Sequence, residues 1–273
     1  RQESGQTPRG PDNSRILALV PNGNTELYGV TREVDALRDR FSGVETISGK
    51  PELSTIESAS DSYDVVHVAA HVVVNDEKPW FSGILLEPET GGNTIAAPAP
   101  HTRGDDLIDS DLPYDPYLRA GEIASFRIPA SLAVLAGCES ALGRSSNGEG
   151  VLGLTSAFLS AGTPSVVSTL WPVDDEVTAD LMAVFYERLA EGETVVHALH
   201  RAQSAIRSGR STAHPFYWAG FVVVGDGGVR VPIRKSGRLT PTTVSVFATG
   251  ILLIVMMLRR FQTARARKNR LAV

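Results

Sequence analysis

Cysteine is almost absent from this chain: Cys138 stands alone. A single thiol cannot close an intrachain disulfide, which excludes the stapled frameworks of small secreted domains. Acidic residues run out early as well. The last is Asp226, and ten basic residues follow it with no acid among them. The part up to Asp226 therefore holds 16 of the 26 Lys and Arg but all 31 Asp and Glu. So acidic a body argues against a nucleic-acid groove, and no nucleic-acid partner is expected. Charge of either sign is missing from Thr242 to Leu258. No internal repeat is visible. A starting Met is lacking too, so the chain is expected to be a piece of a longer product, with something upstream of Arg1.

What is present reads as alternating strands and helices. Residues 1–14 are polar and rich in Pro, Gly and Ser, the composition of a linker. Strands are expected at Arg15–Val20, Val44–Ile47, Val65–Ala69, Leu132–Ala136, Pro164–Leu170 and Phe221–Val224, with Ile84–Leu86 as half of a small hairpin. Val30, Val34, Leu37 and Phe41 fall at helical spacing. Further helices are expected at Leu53–Ala59, from about Gly150 to Ala161, after Asp174 and Asp175, and from Thr194. Strands separated by helical patterns imply an α/β fold with a mostly parallel sheet flanked by helices. Between Glu87 and Tyr117 lies an irregular stretch with a run of Asp, long enough to suggest a lid or regulatory segment.

The uncharged 17 residues 242–258 would span on the order of 26 Å as a helix, just short of a hydrocarbon core. Pro241 suits a first helical position, and Arg259 and Arg260 close the stretch. The alternative is a terminal helix wholly buried on the domain. The expectation is a single-pass membrane protein: a linker at 1–14, a domain at 15–227, and a basic juxtamembrane linker at 228–241. A transmembrane helix at 242–258 and a basic tail at 259–273 complete it, making the lipid bilayer a partner. Six basic residues after the span against four before it favour a cytoplasmic tail. A lone functional thiol favours a cytoplasmic body, and the reading adopted follows the thiol.

Chemistry centres on Leu132-Ala-Val-Leu-Ala-Gly-Cys138-Glu-Ser140. A thiol at the carboxyl end of a central strand sits where open α/β sheets place ligands. It also reads as a buried core cysteine, as most free ones are. A thiol nucleophile needs a base, and Asp64-Val-Val-His67-Val-Ala-Ala-His71 supplies two histidines. Four apart in a strand they stand about 13 Å from each other, too far to chelate one metal ion. The Glu of a helical zinc motif is missing besides. No metal or cofactor is expected. His67 reads as a packed core residue, and His71, just past the strand end, as the base. Asp174 and Asp175 read both as helix-capping acids and as an acidic pocket for a substrate Lys or Arg. His197, His200 and His214 read as structural, and His101 carries no signal.

Taken together, these segments resemble the CHAT domain family, caspase-like domains often attached to tetratricopeptide repeats, and more distantly separases and caspases. The likeness runs from about Arg15 to Gly225. It is carried by Asp64–His71, Phe81-Ser-Gly-Ile-Leu-Leu86, Ala136-Gly-Cys-Glu-Ser140, Gly148–Leu154, Thr169-Leu-Trp-Pro-Val-Asp-Asp175 and His214–Phe221. It implies a caspase-hemoglobinase-like fold, His71 as catalytic histidine and Cys138 as nucleophile. The backbone N–H groups of Val72 and Cys138 would form the oxyanion hole. In related separases an acid in the Trp-x-Val-x-Asp stretch reads the arginine before the cut, which here resembles Asp175. The family usually has Gly where Val72 stands, and Val tolerates fewer backbone angles. The expected function is a cysteine endopeptidase acting on a protein or peptide after Lys or Arg, regulated by an activator protein or an upstream sensor or repeat domain. A catalytically silent scaffold module is the alternative, and a non-proteolytic thiol hydrolase a third reading.

Overall fold

The computed structural model describes residues 15–22, 28–51, 62–75, 78–87, 115–136 and 149–235. The chain opens with β1 (Ile16–Val20), α1 (Tyr28–Arg40), β2 (Val44–Ser48) and β3 (Val65–Val68). It then makes β4 (Val72–Val73), a 3-10 turn (Pro79–Phe81), β5 (Gly83–Leu85), β6 (Tyr117–Arg119) and α2 (Ala120–Ser125). Next come β7 (Leu132–Leu135), α3 (Glu149–Ser160), β8 (Ser165–Thr169) and α4 (Asp175–Ala190). α5 (Val195–Arg207), a second 3-10 turn (Pro215–Tyr217) and β9 (Phe221–Gly225) complete the order.

Six strands form one sheet in the order β2-β1-β3-β7-β8-β9. All its pairs are parallel except β8 with β9. Parallel strands between two helical layers are wetted on neither face, so they read as continuous apolar runs. Every residue of β3 (Val-Val-His-Val) and of β7 (Leu-Ala-Val-Leu) is buried. On one face Val65, Val134 and Val167 meet Leu37 and Phe41 from α1 or just beyond it, Leu181 and Phe185 from α4, and Ala198 from α5. On the other, Val66, Ala133 and Val166 meet Ile123 of α2 and Leu154 and Phe158 of α3. This three-layer arrangement is the mixed α/β fold expected, down to the strands at 16–20, 132–135 and 165–169.

A second, antiparallel sheet, β4-β5-β6, packs into the α2–α3 side through Val72, Ile84 and Leu118. Only its middle strand was foreseen. Gly153 of α3 lets the 3-10 turn approach closely, since a Cβ there would stand 2.4 Å from the Pro79 carbonyl oxygen. The turn just beyond α3 holds Gly162, whose φ of +105° suits a residue without a side chain. Val231 and Ile233, in the segment read as the start of a basic linker, are buried against α4 and α5.

The single-pass membrane reading is corrected. Among the described residues no helix is long and apolar enough to cross a membrane. The longest, α4, has 16 residues and carries Asp175, Glu176, Asp180, Glu187 and Arg188. Residues 242–258, on which the membrane reading and its bilayer partner rested, lie outside the described residues, as does the helix expected at Leu53–Ala59.

Candidate active site

β3, β7 and β8 are consecutive in the sheet and parallel, so their carboxyl ends open on the same edge. The segments singled out for chemistry each follow one of those ends: His71 and Val72 after β3, Cys138 after β7, Asp174 and Asp175 after β8. Crevices beyond the carboxyl ends of an open α/β sheet are where such folds bind ligands.

The histidine arm is well anchored. Past β3 the Ala136 N–H donates to the Val68 carbonyl at 3.2 Å, and the Ala69 N–H to the Leu19 carbonyl at 3.0 Å. His71 is half-buried, and its own carbonyl accepts the Leu85 N–H at 2.8 Å. That bond makes His71 and Leu85 a hydrogen-bonded pair of the antiparallel ladder, so the next pair, Val72 and Ile84, is of the other kind. The Val72 N–H therefore turns away from β5, toward the open side of the edge strand β4. No non-glycine residue among the described residues has a positive φ. Val72 thus sits in ordinary strand backbone, and the glycine usual in the family is not required by a strained angle here.

Cys138 lies outside the described residues, within 137–148. Its approach is described up to Ala136, which is buried beside Val68. On the β8 side, Leu170 holds the Gly220 carbonyl through its N–H, and the Trp171 indole N–H donates to the Phe216 carbonyl at 3.0 Å. Asp174 caps α4, its Oδ1 accepting the Val177 N–H at 3.0 Å. The capping reading of that acid holds, and its carboxylate is committed to the helix. Asp175 is exposed at the first helical position.

His67 is fully buried, as expected of a core histidine. Its Nδ1 lies 3.0 Å from the Tyr186 hydroxyl, and its Nε2 lies 3.3 Å from Oε1 of buried Glu33. Burial first, and the Glu33 charge second, push the Tyr186 phenol well above its ordinary pKa. Sequence reasoning passed over Glu33 and Tyr186. The signal was their place on apolar helix faces, Glu33 beside Val34 and Leu37, Tyr186 beside Met182 and Leu189. Among the described residues no cluster of three His, Cys, Asp or Glu could hold a metal ion.

The site thus belongs to an α/β domain whose open, mostly parallel sheet carries a histidine and an acidic helix start on one strand-end edge. The chain belongs to the CHAT domain family, whose model matches residues 3–226. It is 31% identical over 188 residues to tetratricopeptide repeat protein 28 of Mus musculus, and 29% over 188 residues to that of Homo sapiens. Each match takes in 63% of this chain and 7% of the relative, so the chain spans a small fraction of those proteins' length. Among solved structures it is similar to the separase–securin complex of Saccharomyces cerevisiae. One such structure gives a TM-score of 0.45 at 16% identity, covering 78% of this chain and 12% of that one. A second gives 0.47 at 15%, covering 81% and 12%.

Proposed function

We propose that the domain is a cysteine endopeptidase with a His71–Cys138 dyad, cutting after Lys or Arg. The observation that carries this is strand register. Val65 stands beside Leu132 and Val68 beside Leu135, an offset of 67 positions, and 67 positions also separate His71 from Cys138. Adjacent strands run about 4.8 Å apart, so base and nucleophile leave neighbouring strands at equal counts. In this reading His71 takes the Cys138 proton and the sulfur attacks the scissile carbonyl carbon. The carbonyl electrons move to oxygen, held by the N–H groups of Val72 and Cys138. The imidazolium then gives its proton to the leaving amine, and water hydrolyses the thioester. Asp175, exposed in the first turn of α4, meets the basic side chain. The repeat-bearing relatives support control by an attached repeat segment or a partner protein.

Fluorogenic peptides bearing Arg or Lys test the proposal against Cys138→Ala and His71→Ala. Cleavage by the parent, lost by at least about 1,000-fold in either variant, is the expected result. Labelling of Cys138 by small electrophiles without any peptide cleavage would turn the reading to a non-proteolytic hydrolase. A parent that neither cuts nor labels, even with an activating partner present, would make the domain a silent scaffold.

A further inference from the structure

We propose that Glu33, His67 and Tyr186 form a buried polar strut that sets where His71 stands relative to the start of α4. His67 is then a positioning residue for the cleavage proposed above, on which this inference rests. The three side chains come from α1, β3 and α4 and meet inside a largely apolar layer. Burying polar groups is costly, and an apolar side chain at position 67 would fill the same layer without that cost. Stability of the layer alone therefore does not account for the trio.

Its geometry is specific. Tyr186 is held edge-on by Phe41, Phe185 and the His67 ring, with centroids 6.1, 5.5 and 5.7 Å away. The Tyr186 hydroxyl and Nδ1 share one hydrogen bond at 3.0 Å, and the other ring nitrogen, Nε2, faces Glu33. The Nε2 and Oε1 atoms are within ion-pair distance but lack hydrogen-bond alignment, and neither has a hydrogen-bond partner among the described residues. Each therefore depends on the other for compensation, and displacing one element leaves both uncompensated.

Both ends of the strut lead to the site. Beyond His67 the backbone is pinned at Val68, Ala69 and His71 by the three bonds already described. From Tyr186, α4 runs back to Asp175 over about 16 Å of helix axis. The bond between Tyr186 and His67 thus fixes the spacing between the strand that leads to the base and the helix that begins with the acids.

Two shape-conserving variants test this: Tyr186→Phe removes one oxygen, and Glu33→Gln removes a charge. In protein carrying nitrogen-labelled histidine, with His71 assigned through His71→Ala, the His71 imidazole signals should move in both variants. Those of exposed His197 and His200 should stay. For peptide cleavage, kcat per folded molecule should fall about tenfold with KM held within about twofold. A folded variant with an unmoved His71 signal overturns the strut, as does an unchanged kcat in an active parent. If His71 moves in a parent that cuts no peptide, the coupling stands and the peptidase reading alone fails. Should Tyr186→Phe not fold, Glu33→Gln carries the test; if neither folds, the trio is a folding element and the proposal falls.

Discussion

Two neighbouring aspartates show how one residue step separates structure from proposed chemistry. Asp174 spends its carboxylate on the Val177 N–H, whereas Asp175 stands one place further on, exposed at the first turn of α4. Asp174→Ala should cost about 1 kcal/mol of stability by loss of the cap, read as a shift in urea midpoint. Asp175→Ala should raise KM for Arg peptides about tenfold or more. The reverse pattern would move the specificity role to Asp174. Both acids were legible in the sequence because capping chemistry is local. Glu33 was not: a carboxylate on the apolar face of α1 makes sense only once β3 places an imidazole opposite it, and no spacing along the chain encodes that meeting.

Elements divide the same way. The core strands were legible because their buried runs, four or five residues long and built mainly on Val, Leu, Ile and Ala, are set by burial on both faces. β4 has two residues and β6 three, and β6 reaches its place by pairing Arg119 with Gly83, far away in sequence. Segments that short have no period to read, so the second sheet stayed hidden. It is also an element with a pH dependence of its own. At Asp115 burial pulls the carboxyl pKa up, but the Arg119 hydrogen bond, the Tyr117 N–H and the charges of Arg119 and Lys50 outweigh it. The carboxyl ends below its ordinary value, so the folded form holds that proton less tightly than the unfolded one. The stabilisation is complete above the unfolded value of about 3.9 and drains as pH falls through the lowered one. Urea midpoints measured from about pH 5 down to about pH 2.5 should therefore decline less steeply in Asp115→Asn than in the parent. Equal slopes would show that Arg119 does not hold β6 through this acid.

At the scale of the molecule, one sheet separates two apolar layers that share its strands. Phe158 lies in the layer with α2 and α3, Phe185 in the layer with α4 and α5, and both are buried. Phe158→Ala and Phe185→Ala should each cost about 3–5 kcal/mol. Because alternate residues of β3 and β7 feed both layers, each variant should still unfold in one transition, followed by far-ultraviolet circular dichroism and tryptophan fluorescence together. Two separated transitions would mean the layers are independent.

The described chain enters the sheet at Arg15, beside Asp64 on the amino edge of the strands. It leaves by way of Lys235, which is held at the far end of α4 by Glu187 and Glu191. Both gateways thus face away from the strand-end crevice. A dye attached at either one stands on the amino side of the sheet, about 15 Å along the strands from their carboxyl ends.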